Sequence, residues 1–120
     1  MFGFLKGNAR HRFSAAEAIR GVATGEVVVI DVRESAEVAE TGQAAGSVHV
    51  PLMMLAFRAD PAHPDHLPQI TPEKTVAVYC ASGGRSASAV RVLDRLGYRD
   101  VHNIGGLGHW VRAGGQVVKV

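Results

Sequence analysis

Apolar and polar positions along the chain follow two periods, that of strands and that of helices. Val27 to Asp31 is a β-branched run that ends in an acid, and Thr75 to Cys80 is a second run of β-forming residues. Apolar runs of this length are typical of strands that are covered on both faces of a sheet. Val101 to Ile104 predicts a third strand, and Ser47 to Val50 predicts a short extended segment that Pro51 stops.

Between the strands, apolar residues recur at the spacing of amphipathic helices. Ser14 followed by Glu17 is a capping box, which predicts a helix that ends near Gly25. The clearest helix runs from Ser86 to Leu96, with Gly97 as its C-terminal cap. Three shorter helices are predicted over Ser35 to Glu40, Leu52 to Arg58 and Gly106 to Ala113.

The order of these elements predicts the fold class. Strands and helices alternate at short spacing, which is the pattern of an α/β domain with a mainly parallel central sheet flanked by helices. Asp60 to Pro72 carries four prolines and two histidines, which indicates a surface excursion rather than a linker. Gln116 to Val120 is predicted to be a terminal strand or tail. We expect one domain over residues 13–120, preceded by an N-terminal arm over residues 1–12.

Composition narrows the class of function. A chain of 120 residues with 47% hydrophobic content has the size of one domain that buries its own core. The formal net charge is only +2 and the basic residues are scattered, so nucleic-acid binding is not expected. No segment approaches the roughly 20 apolar residues that cross a bilayer, and no signal peptide is expected, so we expect a cytoplasmic protein without a membrane partner. A single cysteine forms no internal disulfide and suits a reducing compartment.

That cysteine, Cys80, ends the second strong strand, and a loop of small residues leads from it into the clearest helix. Backbone N–H groups and the helix dipole at such a junction favour the thiolate over the thiol. Four residues separate Cys80 from Arg85, and two of them are glycine, so the backbone is able to curl around the sulfur. The loop therefore predicts a catalytic nucleophile in an anion-binding bowl. The predicted substrate-binding residues of this bowl are Ala81, Ser82, Gly83, Gly84, Arg85 and Ser86.

Arg85 is predicted to bring a permanent charge and a planar donor fork to the rim of the bowl. This chemistry suits a doubly charged oxyanion such as thiosulfate. Taken alone, Cys80 would more often be a small buried hydrophobe, and Ser86 would serve equally well as a helix cap. The Gly-Gly-Arg-Ser continuation favours the reactive thiol.

Asp31 and Arg33 follow the first strong strand, at the edge where α/β sheets bind ligands. An acid and an arginine two residues apart are more often a brace between neighbouring loops, so we predict structural support for both. Trp110 is predicted to fill the core. His63 and His66 are predicted to be solvated rather than to bind a metal, because no further ligands cluster with them.

Three separated motifs together resemble those of the single-domain rhodaneses, a family of sulfurtransferases. They are Asp31-Val32-Arg33-Glu34, the loop from Cys80 to Ser86, and Gly105-Gly106-Leu107-Gly108-His109-Trp110 followed by Ala113-Gly114-Gly115. The match extends from about Phe13 to Val118. One departure is visible: the family usually carries Gly-His-Ile-x-Gly-Ala after the first helix, where this chain has Gly42-Gln43-Ala44-Ala45-Gly46-Ser47.

The resemblance implies a three-layer rhodanese-like fold and transfer of a sulfane sulfur through a persulfide on Cys80. It implies a small-molecule donor such as thiosulfate, a cyanide or thiol acceptor, a sulfur-relay protein as a further partner, and no metal or organic cofactor. Asp31 and Arg33 would support the active-site face. A persulfide carrier or regulatory module with little turnover stays open as an alternative. A cysteine phosphatase or arsenate reductase is less favoured, because phosphatase loops have five residues between Cys and Arg.

Overall fold

The computed structural model describes residues 13–120, and the predicted arm over residues 1–12 lies outside the described residues. Four parallel strands form one sheet: β1 (Val27–Asp31), β3 (Val48–His49), β4 (Thr75–Cys80) and β5 (Val101–Gly106). Their order in the sheet is β3-β1-β4-β5. A separate antiparallel pair joins β2 (Gln43–Ala44) to β6 (Val117–Val118). The predicted α/β class, with a parallel central sheet between helices, is confirmed.

The helices begin and end close to their sequence signals. In α1 (Ala15–Thr24), the Ser14 hydroxyl accepts the Glu17 N–H, and the Glu17 carboxylate accepts the Ser14 N–H. Gly25 ends this helix in the left-handed conformation, which only glycine adopts without strain. The other helices are α2 (Ser35–Thr41), α3 (Leu55–Arg58), α4 (Gly84–Arg95) and α5 (Leu107–Arg112).

Alternate side chains of β1 and β4 pack into two apolar layers, one on each face of the sheet. Leu55 of α3 and Leu93 of α4 pack in the first layer, which also holds the Cys80 side chain. Ala18 of α1 and Trp110 of α5 pack in the second layer. Trp110 is 1% exposed, so the prediction that it fills the core is confirmed.

Three α-helices begin at a different residue from the one that the sequence predicts. Gly83, with φ at +112°, turns the chain directly into α4, which therefore begins at Gly84 rather than at Ser86. Gly105 and Gly106 continue β5, where Gly106 pairs with Cys80, so α5 begins only at Leu107. The helix predicted over Leu52 to Arg58 is a turn of 3-10 helix followed by α3.

The two histidines of the excursion over residues 60–72 are half-buried rather than solvated, and both form hydrogen bonds within the excursion. His63 Nδ1 accepts a hydrogen bond from the Asp65 N–H, and His66 Nε2 lies 2.6 Å from the Ile70 carbonyl oxygen. Backbone groups in a proline-rich turn lack ladder partners, and here imidazole nitrogens supply them. Ile70 itself is fully buried in the first apolar layer.

The path of the chain places the carboxyl ends of β1 and β4 side by side. It runs from β1 outward to β3 and then returns to β4 on the other side of β1, so the strand order reverses between β1 and β4. Ligand sites of open α/β sheets lie at such reversals, beyond the carboxyl ends of the strands. Asp31 ends β1 and Cys80 ends β4 at this edge. Within residues 13–120, no helix has the length and apolar content to cross a membrane.

Candidate active site

Cys80 lies at the floor of the predicted loop. The residue is 1% exposed, and it packs in the same apolar layer as Val78 and Ala89. The loop above it is open, since Ala81 and Ser82 are both exposed. Burial by itself also fits a core cysteine, so the polar groups around the sulfur decide between the two interpretations.

Those polar groups converge on the sulfur. The Gly83 N–H donates a hydrogen bond to Cys80 Sγ over 2.9 Å, and the Ser86 hydroxyl lies 3.5 Å from the same atom. Both groups belong to the turn from the loop into α4, so the N-terminus of a twelve-residue helix faces the sulfur. A core cysteine has no need of such donors, whereas a thiolate does.

Burial and hydrogen bonding act on the pKa of Cys80 in opposite directions. Burial raises the pKa of the thiol, because a low-dielectric surrounding disfavours its charged form. Hydrogen bonds from the Ser86 hydroxyl and from the backbone N–H groups of Ser86, Gly83 and Ser82 outweigh burial. The net effect lowers the pKa from its ordinary 9.0 to about 7. Near neutral pH, a large fraction of Cys80 is therefore thiolate.

Two glycines give the loop its shape. Gly83 has φ at +112°, in a region that side chains with a Cβ rarely adopt, and this conformation directs its N–H at the sulfur. Gly106 allows a close approach, because a Cβ on it would stand 2.1 Å from the Ala81 carbonyl oxygen. The end of β5 therefore acts as a wall against which the Cys80 loop is folded.

Asn103 of β5 is part of the site, although the sequence analysis did not single it out. The Ser86 hydroxyl donates to Asn103 Oδ1 over 2.7 Å, and Asn103 Nδ2 donates to the Gly83 carbonyl over 3.0 Å. The Gly105 N–H also donates to Oδ1, which fixes the orientation of the amide. The signal in the sequence is an amide side chain in the predicted strand, two places after Val101.

Arg85 lies in the first turn of α4, and its guanidinium group is paired with Glu37 of α2. Nη1 lies 2.6 Å from Oε1 and Nη2 lies 2.8 Å from Oε2. Hydrogen bonding to Arg85 lowers the pKa of Glu37 to about 2, and the same pair raises the pKa of Arg85. The sequence predicts an arginine fork that faces a bound oxyanion, but in the structure both terminal nitrogens face a carboxylate of the chain itself.

Asp31 and Arg33 form a buried brace beneath this edge of the sheet. Arg33 Nε and Nη2 donate to the Asp31 carboxylate, with a shortest distance of 2.7 Å, and the two side chains are 3% and 0% exposed. Arg33 also donates to the Gly42 carbonyl and the Thr41 hydroxyl, which ties β1 to the end of α2. The Tyr79 hydroxyl donates to Asp31 over 2.5 Å. The brace therefore joins the carboxyl ends of β1 and β4.

Gln43 stands where the resembled family usually has a histidine. Its side-chain amide donates to the carbonyl and the hydroxyl of Ser47, both over 3.0 Å, and its backbone pairs with Val118. None of these contacts reaches the Cys80 loop. The departure from the family pattern therefore lies in the β2–β6 pair rather than among the groups that contact the sulfur.

Comparisons with known proteins agree with the geometry. The family described as rhodanese-like domain matches residues 14–113. A sulfurtransferase of Allochromatium vinosum is 31% identical over 96 residues, which cover 79% of this chain and 81% of that protein. Thiosulfate sulfurtransferase 16, chloroplastic, of Arabidopsis thaliana is 33% identical over 90 residues, which cover 71% of this chain and 74% of that protein.

A solved structure from Rhodopseudomonas palustris has a similar fold. It superimposes with a TM-score of 0.77 at 32% sequence identity, and covers 96% of this chain and 89% of its own. That protein is described as being of unknown function and as a possible tyrosine phosphatase.

Proposed function

The chain belongs to the rhodanese-like family of sulfurtransferases, and from that premise we propose that it carries a sulfane sulfur as a persulfide on Cys80. The observation that most supports this role is the Gly83 N–H directed at Cys80 Sγ over 2.9 Å. A persulfide anion gains from the same donors that stabilise the thiolate. The Ser86 hydroxyl lies 3.5 Å from the same sulfur, where it is able to donate to an anion.

In the first half of the reaction, the Cys80 thiolate attacks the outer sulfur of a donor such as thiosulfate. A new S–S bond forms at Cys80 while the S–S bond of thiosulfate breaks, and the electron pair of that bond leaves with sulfite. The enzyme then holds Cys80–S–S⁻, so one negative charge moves from the thiolate to the terminal sulfur. The thiolate attacks without any proton transfer, and a lowered pKa keeps more of Cys80 in the thiolate form.

In the second half, a nucleophilic acceptor attacks the terminal sulfur and restores the thiolate. Cyanide would leave as thiocyanate, and a thiolate would leave as a persulfide. Both halves balance without a metal or an organic cofactor. A sulfur-relay protein is a further partner of this chemistry, and a reducing cytoplasm suits it, because Cys80 must return to the thiolate after each transfer.

The near-complete burial of Cys80 favours a second candidate function, a persulfide carrier with little turnover of its own. A residue that is 1% exposed offers a small target to a free donor, whereas a partner protein could open the loop on binding. Mixing the chain with a cysteine desulfurase distinguishes the two. A carrier would gain sulfur from the desulfurase and would turn over thiosulfate and cyanide poorly, while an enzyme would turn over both substrates.

A cysteine phosphatase is less well supported, even though the Rhodopseudomonas palustris protein is described as a possible one. The loop has four residues between Cys80 and Arg85, one fewer than phosphatase loops have. A shorter loop encloses a smaller bowl, which suits a sulfane sulfur better than tetrahedral phosphate. In addition, Arg85, which would bind the phosphate, is paired with Glu37.

Intact-mass analysis after incubation with thiosulfate tests the proposed function. We expect the wild-type chain to gain one sulfur atom and the Cys80→Ser variant to gain none. A wild-type mass that does not change with thiosulfate or with a desulfurase would refute the persulfide. Sulfur gained by Cys80→Ser would place the nucleophile elsewhere.

A further inference from the structure

The rim of the Cys80 bowl carries a neutralised arginine. Arg85 and Glu37 are paired through both terminal nitrogens and both carboxylate oxygens, and each side chain is 34% exposed. A bidentate pair fixes the plane of the guanidinium group and uses one N–H on each terminal nitrogen. An incoming anion at this rim therefore competes with a carboxylate that is already in place.

Glu34 adds a second carboxylate to the same surroundings. Hydrogen bonding to Glu37 is the largest influence that raises the pKa of Arg85, and the charges of Glu37, Cys80 and Glu34 raise it further. The guanidinium charge is paired with Glu37, while Glu34 and the thiolate add negative charge to its surroundings.

We propose that Glu37 sets the donor preference of the site, by competing with oxyanion donors for Arg85. The dianion thiosulfate would face the carboxylates of Glu37 and Glu34, whereas a donor of lower negative charge would face weaker repulsion. The site then prefers singly charged or neutral sulfane donors, such as organic thiosulfonates and persulfides, over thiosulfate. This inference rests on the proposed function, because a donor preference requires that Cys80 accept sulfur.

An aromatic thiosulfonate is a suitable probe, because it donates a sulfane sulfur as thiosulfate does but carries one negative charge instead of two. The Cys80 thiolate attacks the outer sulfur of benzenethiosulfonate, the donor S–S bond breaks, and benzenesulfinate leaves with the electron pair. The persulfide that forms is the same one that thiosulfate would give. A difference between the two donors therefore reports on the leaving group and its charge.

The experiment compares kcat/KM for the two donors, with cyanide as acceptor, in wild type and in Glu37→Gln. Glutamine keeps an oxygen that accepts the Glu34 N–H, a bond that the carboxylate makes over 2.8 Å at the start of α2. We expect kcat/KM for thiosulfate to rise about three- to tenfold, mainly through a lower KM, because one surface carboxylate is removed. We expect the value for benzenethiosulfonate to change less than that for thiosulfate.

Two further variants complete the design. Glu73→Gln makes the same change of net charge just before the amino end of β4, at the opposite edge of the sheet from Cys80. It should leave kcat/KM unchanged for both donors. Glu34→Gln should also raise kcat/KM for thiosulfate, but by less than Glu37→Gln. If Glu37→Gln folds poorly, Glu34→Gln takes its place in the comparison.

Three outcomes would overturn the inference or its premise. A lower kcat/KM for thiosulfate in Glu37→Gln would mean that Glu37 positions Arg85 for the oxyanion, which overturns the inference alone. An equal rise for both donors would also overturn it, since charge would then not discriminate between them. A wild-type chain that accepts sulfur from neither donor would overturn the proposed function, and the inference with it.

Discussion

The side-chain oxygen of Asn103 accepts a hydrogen bond from the Ser86 hydroxyl over 2.7 Å, and that hydroxyl lies 3.5 Å from the sulfur of Cys80. Asn103 also donates to the Gly83 carbonyl, so one residue of β5 bonds both the Ser86 hydroxyl and the residue whose N–H contacts the sulfur. The hydroxyl has a single proton, and its three acceptors within reach are Asn103 Oδ1, the Gly83 carbonyl and the thiolate. Asn103 is therefore a positioning residue for the nucleophile.

Asn103→Asp tests this positioning role. The variant keeps an oxygen for Ser86, loses the donor to Gly83, and introduces a negative charge beside the thiolate. We expect the pKa of Cys80 to rise by about one unit, because a nearby like charge disfavours the thiolate. The rate of alkylation by iodoacetamide, measured against pH, gives this pKa directly. An unchanged pKa in the folded variant would remove Asn103 from the group of residues that tune the sulfur.

The pH dependence of sulfur transfer follows from the pKa of Cys80, which is about 7. The thiolate is the nucleophile, so kcat/KM should rise as pH passes upward through 7 and should level off above 8, until acceptor ionisation intervenes. Ser86→Ala removes a donor to the thiolate, so the midpoint should move upward by about one unit. A wild-type midpoint near that of a free thiol would contradict the assigned donors, as would a midpoint that does not respond to Ser86→Ala.

The buried brace makes a prediction about stability. Arg33→Ala leaves the Asp31 carboxylate buried, and its remaining donors are the Tyr79 hydroxyl and the backbone N–H of residue 33. Breaking a buried pair in this way lowers the free energy of unfolding by about 3–5 kcal/mol. Urea unfolding followed by circular dichroism measures the loss. Arg99→Ala is the control, because Arg99 is exposed and its loss should change the free energy by less than about 0.5 kcal/mol. A similarly small loss in Arg33→Ala would show that the brace is not structural.

The parts of the site that follow each other in sequence were predictable. β4 ends at Cys80, and the glycine-rich loop and α4 follow it at once, so the strand run and the helical spacing together locate the sulfur. Helix α1 was predictable because its capping box is local. The start of α4 was predicted two residues late, because the left-handed turn of Gly83 depends on its contacts with β5.

The parts that depend on distant contacts were not predictable. Glu37 and Arg85 are 48 residues apart and meet because β1 and β4 are neighbours in the sheet. A local motif shows a charged fork at position 85, but it does not show what that fork binds. Gln116 to Val120 was predicted as a terminal strand or tail and contains β6, but β2 and its pairing with β6 were not predicted, since a two-residue strand such as Gln43–Ala44 has no measurable periodicity.

A single-turnover experiment tests the central claim most directly. The wild-type chain is incubated with benzenethiosulfonate, freed of excess donor and mixed with cyanide, while thiocyanate and intact mass are measured together. We predict one thiocyanate per loaded Cys80, and a mass that returns to that of the free thiol. A mass that stays raised after cyanide, or thiocyanate formed by the Cys80→Ser variant at the same yield, would contradict a transferable persulfide on Cys80.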